Sequence, residues 1–144
     1  MIWVIDASVA IRWFIEEEAH LHADAVLKRA VFEPKRFAVP ELFPFEVFAV
    51  LQRIHPDPLV VFRMAILPLL QGGIFRQPMT ENLAIAARRF VEMGLSGYDA
   101  CYAALAQDLG GMWLTFDGQA HQAIEKEGVS CLLAEGLPPD WTDS

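Results

Sequence analysis

Five short apolar runs punctuate the chain: Ile2–Ile5, Phe37–Val39, Ile74–Phe75, Met112–Thr115 and Val129–Leu133. They are rich in β-branched and aromatic residues and do not alternate with polar ones. That pattern predicts short strands buried on both faces, as in a parallel sheet. Helical spacing fills the stretches between them. A helix is expected from Val9 to near Glu16-Glu17-Glu18, capped by Ser8, with the acidic run as a solvated end. Others are expected over His20–Val31, Pro40–Arg53 and Leu59–Leu70. Thr80 caps a helix through Met93, where Leu83, Ala86, Ala87, Phe90 and Val91 share a face and Gly94 closes the end. An Ala-rich helix follows over Tyr98–Leu109, and a last one over Gln119–Lys126. Gly72-Gly73, Gly110-Gly111 and Gly128 mark stops. Strands alternating with helices predict an α/β fold with a mainly parallel sheet. In such sheets ligands sit beyond the carboxyl ends of the strands, where Asp6 and Asp117 fall.

At 144 residues the chain has room for one domain, expected over 1–135, with 136–144 as an irregular tail. With 54% hydrophobic and 21% charged residues it is not a disordered chain. Every apolar run is interrupted before the ~18–20 residues that cross a bilayer. No basic segment precedes the first apolar run, so a secretory leader is not expected. Cys101 and Cys131 are too few for a disulfide framework or a cysteine zinc site. A reduced, cytoplasmic protein is the expectation. The net charge of −8 opposes simple attraction to nucleic acid. Clustered carboxylates that hold divalent metals would reverse that sign locally.

Four acids stand beside core-forming runs, where an unpaired carboxylate is costly. Asp6 follows the first strand. Glu46 lies within Phe43-Pro44-Phe45-Glu46-Val47-Phe48. Asp99 follows Ser96-Gly97-Tyr98, and Asp117 follows Trp113-Leu114-Thr115-Phe116. Each alone has a structural reading: Asp6, Asp99 and Asp117 suit helix N-termini, and Glu46 suits a polar helix face. Together they would repel, by about 4 kcal/mol per pair ~4 Å apart at an effective dielectric near 20. A hard divalent cation such as Mg²⁺ or Mn²⁺ relieves that repulsion.

These residues carry a family resemblance. Val4-Ile5-Asp6-Ala7-Ser8-Val9-Ala10, Val39-Pro40-Glu41-Leu42 leading to Glu46, Leu95-Ser96-Gly97-Tyr98-Asp99-Ala100 and Leu114-Thr115-Phe116-Asp117 occur in order from Met1 to about Leu133. The chain resembles PIN-domain ribonucleases, most closely the VapC-like toxins of type II toxin–antitoxin systems. The resemblance implies a three-layer α/β/α sandwich with a short central, mainly parallel sheet. It implies a Mg²⁺- or Mn²⁺-dependent endoribonuclease, with an RNA substrate, a cognate antitoxin and a homodimeric state. It makes Asp6, Glu46, Asp99 and Asp117 the acidic site: Asp6 and Asp99 as principal metal ligands, Glu46 orienting or activating water, Asp117 holding a second metal or a water. Ser8 and Thr115 become hydroxyls supporting those ligands, or plain caps of helix and turn. One departure is Ala49, where many relatives place Asn a turn after the helix acid.

The remaining residues narrow the alternatives. His20, His22, His55 and His121 are scattered, Cys101 reads as a core thiol, and no glycine motif cradles a nucleotide. Lys28-Arg29, Lys35-Arg36 and Arg88-Arg89 are solvated pairs or, with Arg12, phosphate contacts. Trp13, Phe14, Phe43, Phe45 and Phe48 are core or an interface, where large aromatics are enriched. A non-catalytic PIN-like module that binds RNA or a partner is the second reading. A phosphohydrolase or receiver-like domain is the third; it wants a second acid near Asp6, where Ser8 stands.

Overall fold

The computed structural model describes residues 1–141. Five parallel strands, β1 (Trp3–Ile5), β2 (Phe37–Pro40), β3 (Phe75–Gln77), β4 (Met112–Thr115) and β5 (Ser130–Leu132), form one sheet in the order β3-β2-β1-β4-β5. The three central strands are almost wholly buried, as their unbroken apolar runs require. Edge strands β3 and β5 are more exposed and end in polar or mixed residues.

Helices α1 (Ala7–Ile11) and α2 (Leu21–Phe32) connect β1 to β2, and α3 (Leu42–Ile54), α4 (Pro58–Val61) and α5 (Leu67–Gln71) connect β2 to β3. Helices α6 (Glu81–Glu92) and α7 (Gly97–Asp108) return from β3 to β4, and α8 (Gly118–Ile124) leads to β5. Right-handed crossovers put the first group on one face and the second on the other. The result is the three-layer α/β/α sandwich. Its core joins Trp3, Phe37, Phe43, Tyr102 and Trp113, all essentially inaccessible. Helix α7, Ala-rich and buried from Ala100 to Ala106, packs against β1, β2 and β4 because its small side chains admit a close approach.

Several boundaries differ from expectation, each for a physical reason. Helix α1 stops at Ile11, and Glu16–Glu18 forms a separate 3₁₀ turn. Three carboxylates at a helix C-terminus oppose its dipole, and the Trp13 indole instead donates to the Ala23 carbonyl at 2.8 Å. Asp6, not Ser8, takes the N-cap position of α1. Pro40 ends β2 rather than opening α3, and Pro44 is the third residue of α3, where a missing N–H costs nothing. Helix 58–71 is interrupted by a π turn over Phe62–Ile66, just before Pro68, whose ring cannot continue the ordinary ladder.

Gly111 must be glycine: a Cβ there would collide with the Ile2 carbonyl, which accepts the Met112 N–H at 3.0 Å at the start of the β1–β4 pairing. Turns fall at residues 133–135 and 139–140, and 136–138 is irregular. Trp141 lies over Trp3 at 5.3 Å between ring centroids, and the Arg29 guanidinium is 4.7 Å from the Trp141 ring. The last part of the expected tail, residues 142–144, lies outside the described residues.

Candidate active site

The chain reverses direction across the sheet at β1: one connection leaves toward β2, and the neighbouring strand on the other side is β4. Such a switch point opens a crevice at the carboxyl ends of the strands. Asp6 stands there directly after β1. Its N–H donates to the Leu114 carbonyl at 3.2 Å, extending the ladder by one residue and holding it level with Thr115.

Asp6 is 6% exposed. Its Oδ2 accepts from Ser8 Oγ at 2.5 Å and from Thr115 Oγ1 at 2.9 Å. The same hydroxyls order the next segment: Ser8 Oγ accepts the Phe116 N–H at 3.1 Å and Thr115 Oγ1 accepts the Asp117 N–H at 3.0 Å. Burial pushes the Asp6 carboxyl above its ordinary range, and the two hydroxyls counteract part of that. Ser8 and Thr115 thus tie Asp6 to the loop that presents Asp117.

Asp99 is the third residue of α7, whose N-cap Ser96 accepts the Asp99 N–H at 3.1 Å. This places its carboxylate at the positive end of a twelve-residue helix. Burial and then the charges of Asp6 and Asp117 nonetheless push it up to about 6. Glu46 is half-buried on α3. Burial, offset in part by a hydrogen bond from Tyr102 and reinforced by the charges of Asp6 and Asp99, raises it to about 7. Asp117 caps α8, its Oδ1 accepting from the Ala120 N–H at 3.0 Å. The capping role read for Asp117 is therefore real for one of its oxygens. Four separate elements bring Asp6, Glu46, Asp99 and Asp117 into one electrostatic neighbourhood.

Sequence reasoning missed Tyr102. Its hydroxyl donates to Glu46 Oε1 at 2.7 Å, and its ring stacks at 6.1 Å on Trp113. A signal was present: Tyr102 follows Asp99 by three residues and so shares its helix face. His20 and Phe116 also escaped. The Arg12 guanidinium lies 4.1 Å from the Phe116 ring centroid, and the His20 ring meets that ring edge-on at 5.0 Å. His20 and His22, two apart, still touch at 4.9 Å because His20 is the N-cap of α2 and not inside it.

The arginines of the basic pairs are engaged by acids outside the site. Arg29 is buried and bound to Glu33, Arg36 also meets Glu33, Arg88 meets Glu92 and Arg89 meets Glu127. Cys101 is buried, as a core thiol would be. Of the aromatics, Phe43 is core, while Phe45 is 76% exposed and Phe48 lies at the surface beside it. Ala49, one turn after Glu46, is exposed and offers the site no polar group.

The donor set suits a hard divalent cation: carboxylate oxygens that repel one another, with hydroxyls behind one of them. Among the described residues, no three His, Cys, Asp or Glu side chains converge into a cage for an ion. Mg²⁺ does not need one, because it is commonly held by one or two carboxylates and keeps several waters.

The PIN domain family profile matches residues 3–126. No curated protein matches the sequence. Among solved structures, FitAcB from Neisseria gonorrhoeae aligns with a TM-score of 0.67 at 16% identity, over 86% of this chain and 94% of that one. A toxin–antitoxin complex from Klebsiella pneumoniae aligns with a TM-score of 0.63 at 17% identity, over 89% and 94%. The sarcin–ricin-loop-cleaving toxin VapC20 of Mycobacterium tuberculosis aligns with a TM-score of 0.60 at 16% identity, over 84% and 94%.

Proposed function

The chain belongs to the PIN domain family, and from that premise we propose that it is a Mg²⁺- or Mn²⁺-dependent endoribonuclease, the toxin of a toxin–antitoxin pair. One observation carries the reading: burial first, and then neighbouring carboxylates, hold Glu46 and Asp99 well above the ordinary carboxylate range. A site that concentrates repelling carboxylates at a switch-point crevice stores a demand for a cation.

Asp6 and Asp99 are the principal ligands, with Asp117 supporting a second ion or a water through its remaining oxygen. When bound, the cation supplies positive charge against a phosphodiester and makes water more acidic. Glu46 orients the attacking water and, when ionised, accepts its proton; a group near 7 is suited to that at neutral pH. Tyr102 fixes the Glu46 carboxylate from one side. Ser8 and Thr115 keep Asp6 from swinging away from the crevice. Arg12, presented on the face of Phe116 next to Asp117, meets a phosphate of the RNA. In the overall reaction the water oxygen joins phosphorus, and the departing ribose oxygen leaves with a proton.

The antitoxin is a basic segment drawn by the −8 charge and seated on exposed aromatics such as Phe45 and Phe48. A homodimer completes this reading. Helices long and apolar enough to cross a membrane are absent among the described residues.

The test is cleavage of a panel of structured RNAs with Mg²⁺, with Mn²⁺ and with chelator, alongside Asp99→Asn purified in parallel. Metal-dependent cutting by the wild type alone supports the reading. Equal cutting by Asp99→Asn rejects it. Ala49 gives the second reading, a PIN-like module that binds without cutting, its one specific footing. Tight metal-independent RNA binding with no cleavage would favour that.

A further inference from the structure

A concavity lies on the β2–β3 side of the sheet edge, lined by residues that neighbour Glu46 and Asp99 in the chain. It encloses about 260 Å³. Whole small-molecule sites run to roughly 300–1,000 Å³, so this one suits a fragment such as a single planar ring system. Its floor is apolar, built from Leu42, Leu83 and Cys101. Tyr98 forms one wall and is 65% exposed, an unusual state for an aromatic on an otherwise buried helix. Glu41 and Gln77 supply the polar rim.

Chain neighbours of two of the acids line the cavity. Tyr98 immediately precedes Asp99 on α7. Leu42 lies one turn before Glu46 on α3, on the same face. Cys101 follows Asp99 by two residues on α7. A phosphodiester held at the acids would bring its neighbouring nucleotide toward Tyr98, the residue next to Asp99.

The rim is chemically selective. Glu41 Oε1 accepts the Met79 N–H at 2.9 Å, which fixes the carboxylate in place and leaves Oε2 without a partner among the described residues. The Gln77 side-chain nitrogen donates to the Pro78 carbonyl at 2.9 Å, leaving its oxygen as an acceptor. Both groups so held accept hydrogen bonds. They match the exocyclic amino group of adenine, cytosine or guanine; uracil has no amino group and offers them only its N3–H, while its carbonyls face the Glu41 carboxylate unfavourably.

Resting on the ribonuclease reading, we propose that this cavity is a base-reading pocket: it takes one unstacked nucleobase of single-stranded RNA beside the cut, stacks it on Tyr98 and selects an amino-bearing base through Glu41 and Gln77. Such splayed bases, stacked on aromatics and read along their edges, are the general means by which proteins read single-stranded RNA.

The experiment uses the full chain with Mg²⁺ or Mn²⁺ and loop RNAs varied one base at a time through the cleaved loop. At one position, adenine, cytosine or guanine should be cut better than uracil. Tyr98→Ala should lower kcat/KM about 10- to 100-fold, the worth of one base–aromatic stack, and Tyr98→Phe should retain it. Glu41→Gln should narrow the difference between amino-bearing bases and uracil. Mn²⁺ affinity by calorimetry should be unchanged in all three variants. Cutting that ignores the base at every position, or Tyr98→Ala cutting like the wild type, overturns the pocket while leaving the ribonuclease standing; the cavity would then belong to a protein side chain. If the wild type cuts no RNA, the underlying reading fails separately. The same RNAs carrying 2-aminopurine then decide: fluorescence quenching lost in Tyr98→Ala supports the pocket, and equal quenching overturns it.

Discussion

Tyr102 on α7 donates its phenolic proton to Glu46 on α3 at 2.7 Å, linking helices from opposite faces of the sheet across the crevice. The bond favours the charged form of Glu46 against burial and two neighbouring carboxylates. Removing it in Tyr102→Phe should raise Glu46 further above about 7. The acid limb of the pH–rate profile should move to higher pH, with activity at pH 7 reduced several-fold and recovering toward pH 9. The phenyl ring keeps its stacking on Trp113, so the stability loss should be about 1 kcal/mol. An unmoved acid limb would refute the role given to this pair.

Asp99→Asn should reduce metal-dependent RNA cleavage by more than about 100-fold, beyond the usual effect of losing a group behind the ligands. Its fold should survive. Without metal, the variant should be at least as stable as the wild type above pH 6, because it lacks a charge that Asp6 and Asp117 oppose. Parallel chemical melts and cleavage assays check both halves. A variant that unfolds in the absence of metal would contradict the repulsion argument.

Stability of the metal-free protein should fall as pH rises. Asp99 and Glu46 have folded values of about 6 and about 7, above the ordinary values of 3.8 and 4.5. Their protonated forms are favoured by folding, so the contribution is complete below pH ~4 and is lost as pH climbs through 6 and 7. Each pKa unit corresponds to about 1.4 kcal/mol before solvent screening. A melting temperature lower by roughly 5–10 °C at pH 8 than at pH 5 is expected. Mg²⁺ or Mn²⁺ should restore much of it at pH 8 and little at pH 5, since binding displaces protons. Thermal melts across that range with and without metal are decisive. A melting temperature that rises from pH 5 to pH 8 without metal would count against the acidic cluster.

Thr115→Val keeps shape and removes the hydroxyl that donates to Asp6 and accepts from the Asp117 N–H. A loss of about 1–3 kcal/mol is expected for leaving those buried groups unpaired. Mn²⁺ affinity should weaken about 10- to 100-fold, as when a group supporting a metal ligand is deleted. Unchanged calorimetric affinity would reduce Thr115 to a turn residue.

Much of the fold was legible because its strands are buried on both faces and so appear as unbroken apolar runs. The run ending at Asp6 and the run ending at Thr115 marked the central pair. Helix ends were harder. Glu16–Glu18 lies outside α1 because of dipole electrostatics and the Trp13 anchor, and hydrophobic spacing reports neither. Of the candidate site, the carboxylates drew notice because each adjoins a core-forming run. Their mutual coupling is tertiary and could only be supposed. Tyr102 was hidden for the opposite reason: an aromatic in an Ala-rich buried helix looks like packing, and its single polar atom finds its partner 56 positions away. The Arg12–Phe116–His20 stack likewise joins three segments that no local pattern connects.

The central strand comes first in the chain, yet its neighbour β4 comes near the end. Asp6 meets Thr115 across 109 positions. Asp6 is therefore seated only when β4 pairs with β1, because Thr115 and the Leu114 carbonyl hold it. The crevice is among the last features to form, and its closure bears the loop entropy of most of the chain.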